Sequence, residues 1–102
     1  YFWAYAVEIA NHKAISVQLV ARHWVITDDQ GRQEEVKGQG VVGEQPILEP
    51  GGTFRYVSGC PLTTPSGFMA GTYRMVDETG RGFDVTIPAF SLDSPDVRKT
   101  LN

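Results

Sequence analysis

The chain has few of the residues from which small proteins usually build chemical sites. Its 102 residues include one cysteine, Cys60, and two histidines, His12 and His23. A single cysteine cannot form an internal disulfide, and one cysteine with two histidines falls short of a structural zinc site. We therefore expect a reducing, cytoplasmic environment, no bound metal and no other cofactor.

Basic residues and long apolar runs are also scarce. Nine Lys and Arg against twelve Asp and Glu give a formal charge of −3, and the basic residues are scattered along the chain. Phosphate backbones and anionic lipids therefore exert no general attraction. No apolar run reaches the roughly 18 residues of a membrane-spanning helix. We expect neither a nucleic acid nor a membrane as a partner.

Apolar residues instead recur with the two-residue period of β-strands. Over residues 2–11, Trp3, Tyr5, Val7 and Ile9 alternate with small or polar residues, which predicts a strand with one buried face. A second strand is predicted over 15–27. There the apolar parity reverses, which indicates a bulge near residues 20–22 or burial of both faces.

Shorter strands are predicted at 33–37, 54–57, 69–76 and 82–89, with turn residues between them and no amphipathic helix. This pattern predicts an immunoglobulin-like or fibronectin type III-like antiparallel β-sandwich of about seven strands. We expect one domain over residues 1–92 and a loosely held polar tail over 93–102. The polar strand at 33–37 is a candidate edge, and a homodimer formed there is an open alternative.

The glycines of Gly38-Gln39-Gly40-Val41-Val42-Gly43 match the dinucleotide-binding fingerprint. Such a site needs a buried strand before the glycines and a helix after them. Residues 33–37 are mostly polar, however, and Pro46 and Pro50 would interrupt the helix. We interpret the glycines as loop or edge-strand residues that need unusual backbone angles. The amides of this segment also form a candidate anion-binding nest, with charge from Arg32 or Lys37.

Other candidate groups have simpler interpretations. A Cys60–His23 nucleophile pair is conceivable, but no cation flanks Cys60, which favours an inert thiol. The carboxylates of Asp28, Asp29, Glu34 and Glu35 do not match a calcium loop and suit a solvated hairpin tip. Phe68 has the opposite parity to Met69, Tyr73 and Met75, so we expect it to be exposed and available to a partner.

Several separated motifs, in order along the chain, resemble the ApaG family. They lie at 22–28, 38–46, 48–51, 58–62 and 64–67, and the resemblance extends from about Tyr5 to Leu92. It implies a fibronectin type III-like sandwich, found as a free-standing bacterial protein and as a module in certain eukaryotic F-box and polymerase-interacting proteins. It also implies an association with cobalt tolerance and magnesium efflux, and a glycine motif suspected of binding pyrophosphate.

The leading hypothesis is a non-enzymatic module that recognises a protein partner. The loops at 38–46 and 59–68 are its predicted contact surface, with Gly38, Gly40, Val41, Gly43, Cys60 and Phe68 as the candidate residues. The alternative is a sensor that binds pyrophosphate or a dinucleoside polyphosphate at Gly38–Gly43, with Mg²⁺ or Co²⁺ as a candidate counterion. A cysteine-dependent hydrolase at Cys60 is the third hypothesis.

Overall fold

A computed structural model describes residues 1–92 and 96–101, and those residues contain eight β-strands and no helix. In chain order the strands are β1 (Phe2–Asn11), β2 (Val17–Asp28), β3 (Gln33–Gln39), β4 (Ile47–Leu48), β5 (Thr53–Pro61), β6 (Gly67–Asp77), β7 (Gly82–Ser91) and β8 (Asp96–Leu101). The all-β prediction is confirmed. Within the described residues, no helix has the length and apolar character needed to cross a membrane.

The strands form the two sheets of a β-sandwich. One sheet has the order β5-β1-β8, and the other has the order β3-β2-β6-β7. The short strand β4 also pairs with β2, beyond the end of β3. Neighbouring strands are antiparallel except β1 and β8, which are parallel. The predicted antiparallel sandwich is thus confirmed, with one parallel pair in addition, and the polar strand β3 lies at a sheet edge.

The core lies between the sheets and is centred on Trp24. The ring centroids of Tyr5, Tyr73 and Phe90 lie 6.0, 5.6 and 6.0 Å from that of Trp24. The corresponding angles between the ring planes are 69°, 84° and 80°. Edge-to-face contacts of this kind add to the stabilisation from apolar burial. Strand β1 contributes Val7 and Ile9, both fully buried, as its alternation predicts.

Strand β2 contains the predicted bulge. Its register with β6 shifts between Leu19 and Ala21, so that Val20 is an extra residue. Because an extra residue reverses the alternation, Leu19 on one side of the bulge and Trp24 on the other are both buried in the core.

The prediction of a loosely held polar tail is wrong for residues 96–101. These residues form β8 and pair with residues 6–11 of β1, and Leu101 is only 4% exposed. The segment has two apolar residues, Val97 and Leu101, which is too few to show a period. Its partner strand lies at the other end of the chain, so no local signal marks the pairing. The prediction for 93–95 and Asn102 concerns residues outside the described ranges.

We expect Leu101→Ala to lower the free energy of unfolding by about 2–4 kcal/mol, because it removes a buried side chain that anchors β8. Thr100→Ala, at an exposed position of the same strand, is the matched control and should change it by less than about 0.5 kcal/mol. Urea unfolding of the two variants measures the difference. Equal effects would show that β8 is not held by this residue.

Candidate functional site

The first glycine of the motif lies opposite Arg22 of β2. Arg22 and Gly38 are register partners, and a Cβ on Gly38 would lie 2.7 Å from Nη1 of Arg22. That nitrogen donates hydrogen bonds to the carbonyls of Gln39, at 3.1 Å, and Gly40, at 2.9 Å. Gly38 therefore provides the space that the Arg22 guanidinium occupies.

The second glycine, Gly40, follows the last residue of β3 and leads into a tight turn. Gly40 has a φ of 62°, and its N–H donates to the carbonyl of Val20, the bulge residue, at 2.9 Å. A Cβ on Gly40 would lie 2.1 Å from the carbonyl oxygen of Glu44. Both the backbone angle and the lack of space require glycine here.

The remaining residues of the motif form a two-residue β-hairpin turn. Val41 and Glu44 exchange backbone hydrogen bonds of 2.8 and 2.9 Å, while Val42 and Gly43 have φ angles of 45° and 81°. Positive φ at both central residues is typical of a type I′ turn. The prediction of unusual backbone angles is confirmed for Gly40 and Gly43, whereas Gly38 lies within the edge strand β3 and has no positive φ. The segment forms neither a strand-to-helix turn nor a helix N-terminus.

This geometry leaves few backbone amides available for the anion-binding nest considered above. The amides of Gly40, Val41 and Glu44 all donate to backbone carbonyls. Arg22, the cation beside the loop, itself donates to two of the loop carbonyls. Arg32 lies instead beside Asp28, with Nε 3.4 Å from Oδ2.

Sequence reasoning missed Arg22 and proposed Arg32 or Lys37 as the cation. The available signal was parity, because Arg22 shares the inward-facing alternation of Trp24 and Ile26. A charge on the core face of a strand needs polar partners, and the carbonyls at the end of β3 supply them. The charge of Arg22 also reaches the buried tyrosines Tyr56 and Tyr73, where it opposes the rise in pKa that burial causes.

The second predicted loop lies at the other end of β2. Gly67 is the register partner of Asp28, whereas Gly40 is bonded to Val20. Eight residues of β2 separate these points, which corresponds to roughly 25 Å at the rise of a β-strand. The two loops therefore do not combine into the single contact surface that we expected.

At this second end, polar contacts tie the β2–β3 turn to the β5–β6 loop. The Asp29 N–H donates to Thr64 Oγ1 at 3.2 Å, and Thr64 Oγ1 donates to the Ser66 carbonyl at 2.8 Å. Asp28 Oδ1 accepts from the N–H groups of Gln30 and Arg32, both at 2.9 Å. The carboxylate of Asp28 is thus used to shape the turn, in agreement with the hairpin-tip interpretation.

Phe68 is 44% exposed, as its parity predicts. It borders a groove of about 540 Å³, and we call Phe68 with this groove the Phe68 surface. The groove is lined by Thr27, Asp28, Asp29, Gly31, Ser66, Gly67, Phe68 and Ser91. A second groove of about 450 Å³, which includes Ile26, Glu34 and Leu62, lies on the other side of Asp28. Apolar groups and carboxylates are therefore exposed together at this end of the sandwich.

Two of the predicted site residues have their side chains in the core. Val41 is fully buried and Cys60 is 2% exposed. Burial raises the pKa of the Cys60 thiol, which keeps it protonated and unreactive. His23 lies on the outer face of its sheet, 3.2 Å from Glu35, so the structure does not bring Cys60 and His23 together.

No group of three or more His, Cys, Asp or Glu side chains is placed to hold a metal ion among the residues that the structure describes. The groups whose pKa burial raises, namely Tyr5, Tyr56, Tyr73 and Cys60, are core residues. The hydroxyls of Tyr56 and Tyr73 are hydrogen-bonded to each other. These side chains pack in the interior and line neither of the two grooves.

Comparison with known proteins identifies the family. The family model described as the ApaG domain matches residues 1–77. The chain belongs to the ApaG family. It is 70% identical over all 102 residues to a protein named ApaG from Methylocella silvestris, and 65% identical to one from Beijerinckia indica, and it covers 78% of each of these relatives.

A solved structure supports the fold. A putative ApaA protein from Bordetella pertussis is 38% identical, with a TM-score of 0.79 over 93% of this chain and 94% of that one. The family model ends at Asp77, so β7 and β8 lie outside the matched residues. The likeness to the solved structure extends over most of the sandwich.

We expect Gly40→Ala to lower the free energy of unfolding by about 2 kcal/mol or more, because the methyl group meets backbone and φ is positive. Gly43→Ala is the matched control, since its φ is also positive but nothing lies within 4 Å of the added Cβ. Its cost should be about 1 kcal/mol. Equal costs, measured by urea unfolding, would mean that Glu44 moves aside freely.

Proposed function

We propose that this chain is a non-enzymatic protein-recognition module that binds its partner through the Phe68 surface. The observation that carries the proposal is the exposed Phe68 ring beside a groove whose walls are fixed by side-chain hydrogen bonds. An aromatic side chain at a rigid groove is typical of the anchors that dominate protein interfaces. The exposed carboxylate of Asp29 provides a polar rim.

The position of the polar groups supports recognition over catalysis. Asp28 is occupied by backbone N–H groups and Arg32, and Cys60 is enclosed in the core. A catalytic site needs a nucleophile or base that a substrate can reach, and neither groove supplies such a group with an activating partner. We propose that the association of the family with cobalt and magnesium, if it extends to this chain, acts through a protein partner.

The proposal is tested by affinity capture from a Methylocella silvestris lysate, with the immobilised chain as bait and mass spectrometry as the readout. Phe68→Asp should reduce the specifically captured protein at least tenfold, since it removes the aromatic anchor and adds negative charge beside Asp29. Val42→Asp is the matched control, because Val42 is an apolar residue on the other loop and is 52% exposed, close to the 44% of Phe68.

Thermal unfolding confirms that both variants fold. Capture that survives Phe68→Asp, or that is lost equally in Val42→Asp, would contradict the assignment of the binding surface. Specific capture by the unchanged chain, lost only in Phe68→Asp, would support it.

Phosphate binding at Gly38–Gly43 is the second candidate, favoured by the N–H groups of Val42 and Gly43 at the exposed tip of the turn. We expect no saturable change in the amide chemical shifts of these residues with millimolar pyrophosphate or diadenosine tetraphosphate, with or without Mg²⁺. The reason is that the neighbouring amides and Arg22 already have partners within the loop. Saturable shifts confined to Val42, Gly43 and Arg22 would reverse this conclusion.

A further inference from the structure

The free edge of β5 has less protection than the other edge strands. Exposed sheet edges are usually blocked by charge, proline or bulges, because an open edge pairs with other strands. Strand β3 carries Glu34, Glu35 and Lys37, and β8 carries Arg98 and Lys99. Strand β7 contains Pro88 and an irregular register with β6 near it. Strand β5 has nine residues and one charge, Arg55, and its proline, Pro61, is the last residue of the strand.

The hydrogen bonds at the ends of the β1–β5 pair show which β5 groups are unpaired. Tyr1 and Leu62 exchange backbone hydrogen bonds of 2.8 and 2.7 Å, and the Asn11 N–H donates to Gly52 at 2.9 Å. Along an antiparallel pair, opposed residues alternate between hydrogen-bonded pairs and pairs whose backbone groups point away from each other. Even-numbered β5 residues therefore bond to β1, and the N–H and C=O groups of Thr53, Arg55, Val57 and Gly59 point away from the sheet.

The outer face along this edge carries two exposed apolar side chains, beside the opposed pair Arg55 and Glu8. Val57 is 55% exposed, and on β1 Phe2 is 71% exposed. The Phe2 ring lies over Gly59, where a Cβ would be 2.1 Å from its Cζ atom. The ring therefore extends from β1 over the edge strand, where an added strand would contact it.

We propose that β5 pairs with β5 of a second copy of this chain, antiparallel, about a two-fold axis at Val57. In this register Val57 faces Val57 of the second copy, and Arg55 faces Gly59. The Arg55 guanidinium then lies next to the Phe2 ring that covers Gly59, a favourable cation–π position. The two Arg55 side chains are separated by roughly 13 Å along the strand direction, so like charges are not opposed.

Self-complementarity is the reason for a second copy as the occupant. A two-fold interface uses the same surface patch on both copies, so the donors and acceptors of that patch must complement each other. The outward groups of β5 largely do so, because each N–H donor at 53, 55, 57 and 59 meets a carbonyl in this register. The carbonyl of Thr53 faces Pro61 and has no N–H partner. The dimer joins the two three-stranded sheets into one continuous sheet. It does not involve Phe68, which lies on the other sheet, so the two proposals fail separately.

Sedimentation velocity over a micromolar to millimolar concentration series tests the dimer. The unchanged chain should approach twice its mass of 11.2 kDa. Val57→Pro removes an outward N–H without breaking a bond to β1, and it should raise the dimer dissociation constant at least tenfold. Lys37→Pro is the matched control, because β3 bonds to β2 through even-numbered residues and Lys37 N–H points outward on that edge.

A chain that stays monomeric throughout the series, or that responds equally to the two proline variants, would overturn the proposal. Loss of the dimer in Lys37→Pro alone would assign the interface to β3 instead and would also overturn it. Phe2→Ala changes no backbone group, so it keeps the test informative if Val57→Pro does not fold. It should weaken the dimer several-fold.

Cysteine cross-linking tests the register in a Cys60→Ala background. Directly opposed residues in a hydrogen-bonded antiparallel pair have Cα atoms about 5.5 Å apart, within the range for a disulfide. Val57→Cys should therefore form a covalent dimer under mild oxidation, and Arg55→Cys should form far less. Equal cross-linking, or cross-linking of Arg55→Cys alone, would overturn the axis at Val57.

Discussion

The rest of the structure depends on the bulge at Val20. Without the extra residue, strand β2 would bury either Val17 and Leu19 or Trp24 and Ile26, and not all four. The bulge residue also holds the glycine loop, because the Val20 carbonyl accepts hydrogen bonds from the Gly40 N–H and from Nε2 of Gln45, both at 2.9 Å. One irregularity in one strand therefore sets both the core and the position of the glycine loop.

Two glycines on the neighbouring strands make room for the large side chains that β2 directs inward. Gly38 on β3 faces Arg22, and Gly71 on β6 faces Trp24, where a Cβ would lie 2.5 Å from Cε3 of the indole. Glycine weakens a strand interior, so its presence here is explained by close packing. The dinucleotide-like spacing is the by-product of one such contact followed by a type I′ turn.

Much of the fold could be predicted because its signals are local. The alternation in β1, the parity switch in β2 and the exposure of Phe68 all follow from which residues share a strand face. The predictions that failed concern contacts between segments that are distant in sequence. Strand β8 has few apolar residues and pairs with the first strand, and the two candidate loops are separated because β2 spans the distance between them. No spacing within either loop encodes that separation.

The role of Arg22 explains why the glycine motif belongs to the architecture of the sandwich. An inward-facing guanidinium is costly unless its donors are satisfied, and the carbonyls of Gln39 and Gly40 satisfy Nη1 only in the conformation that the glycines allow. A ligand that drew Arg22 or the loop amides toward itself would have to break these contacts. The Phe68 surface carries no such constraint, because its hydrogen bonds fix the groove walls and leave the aromatic ring exposed. Recognition at that end would break none of these contacts, which is the reason that we propose a protein partner there and not an anion at the glycines.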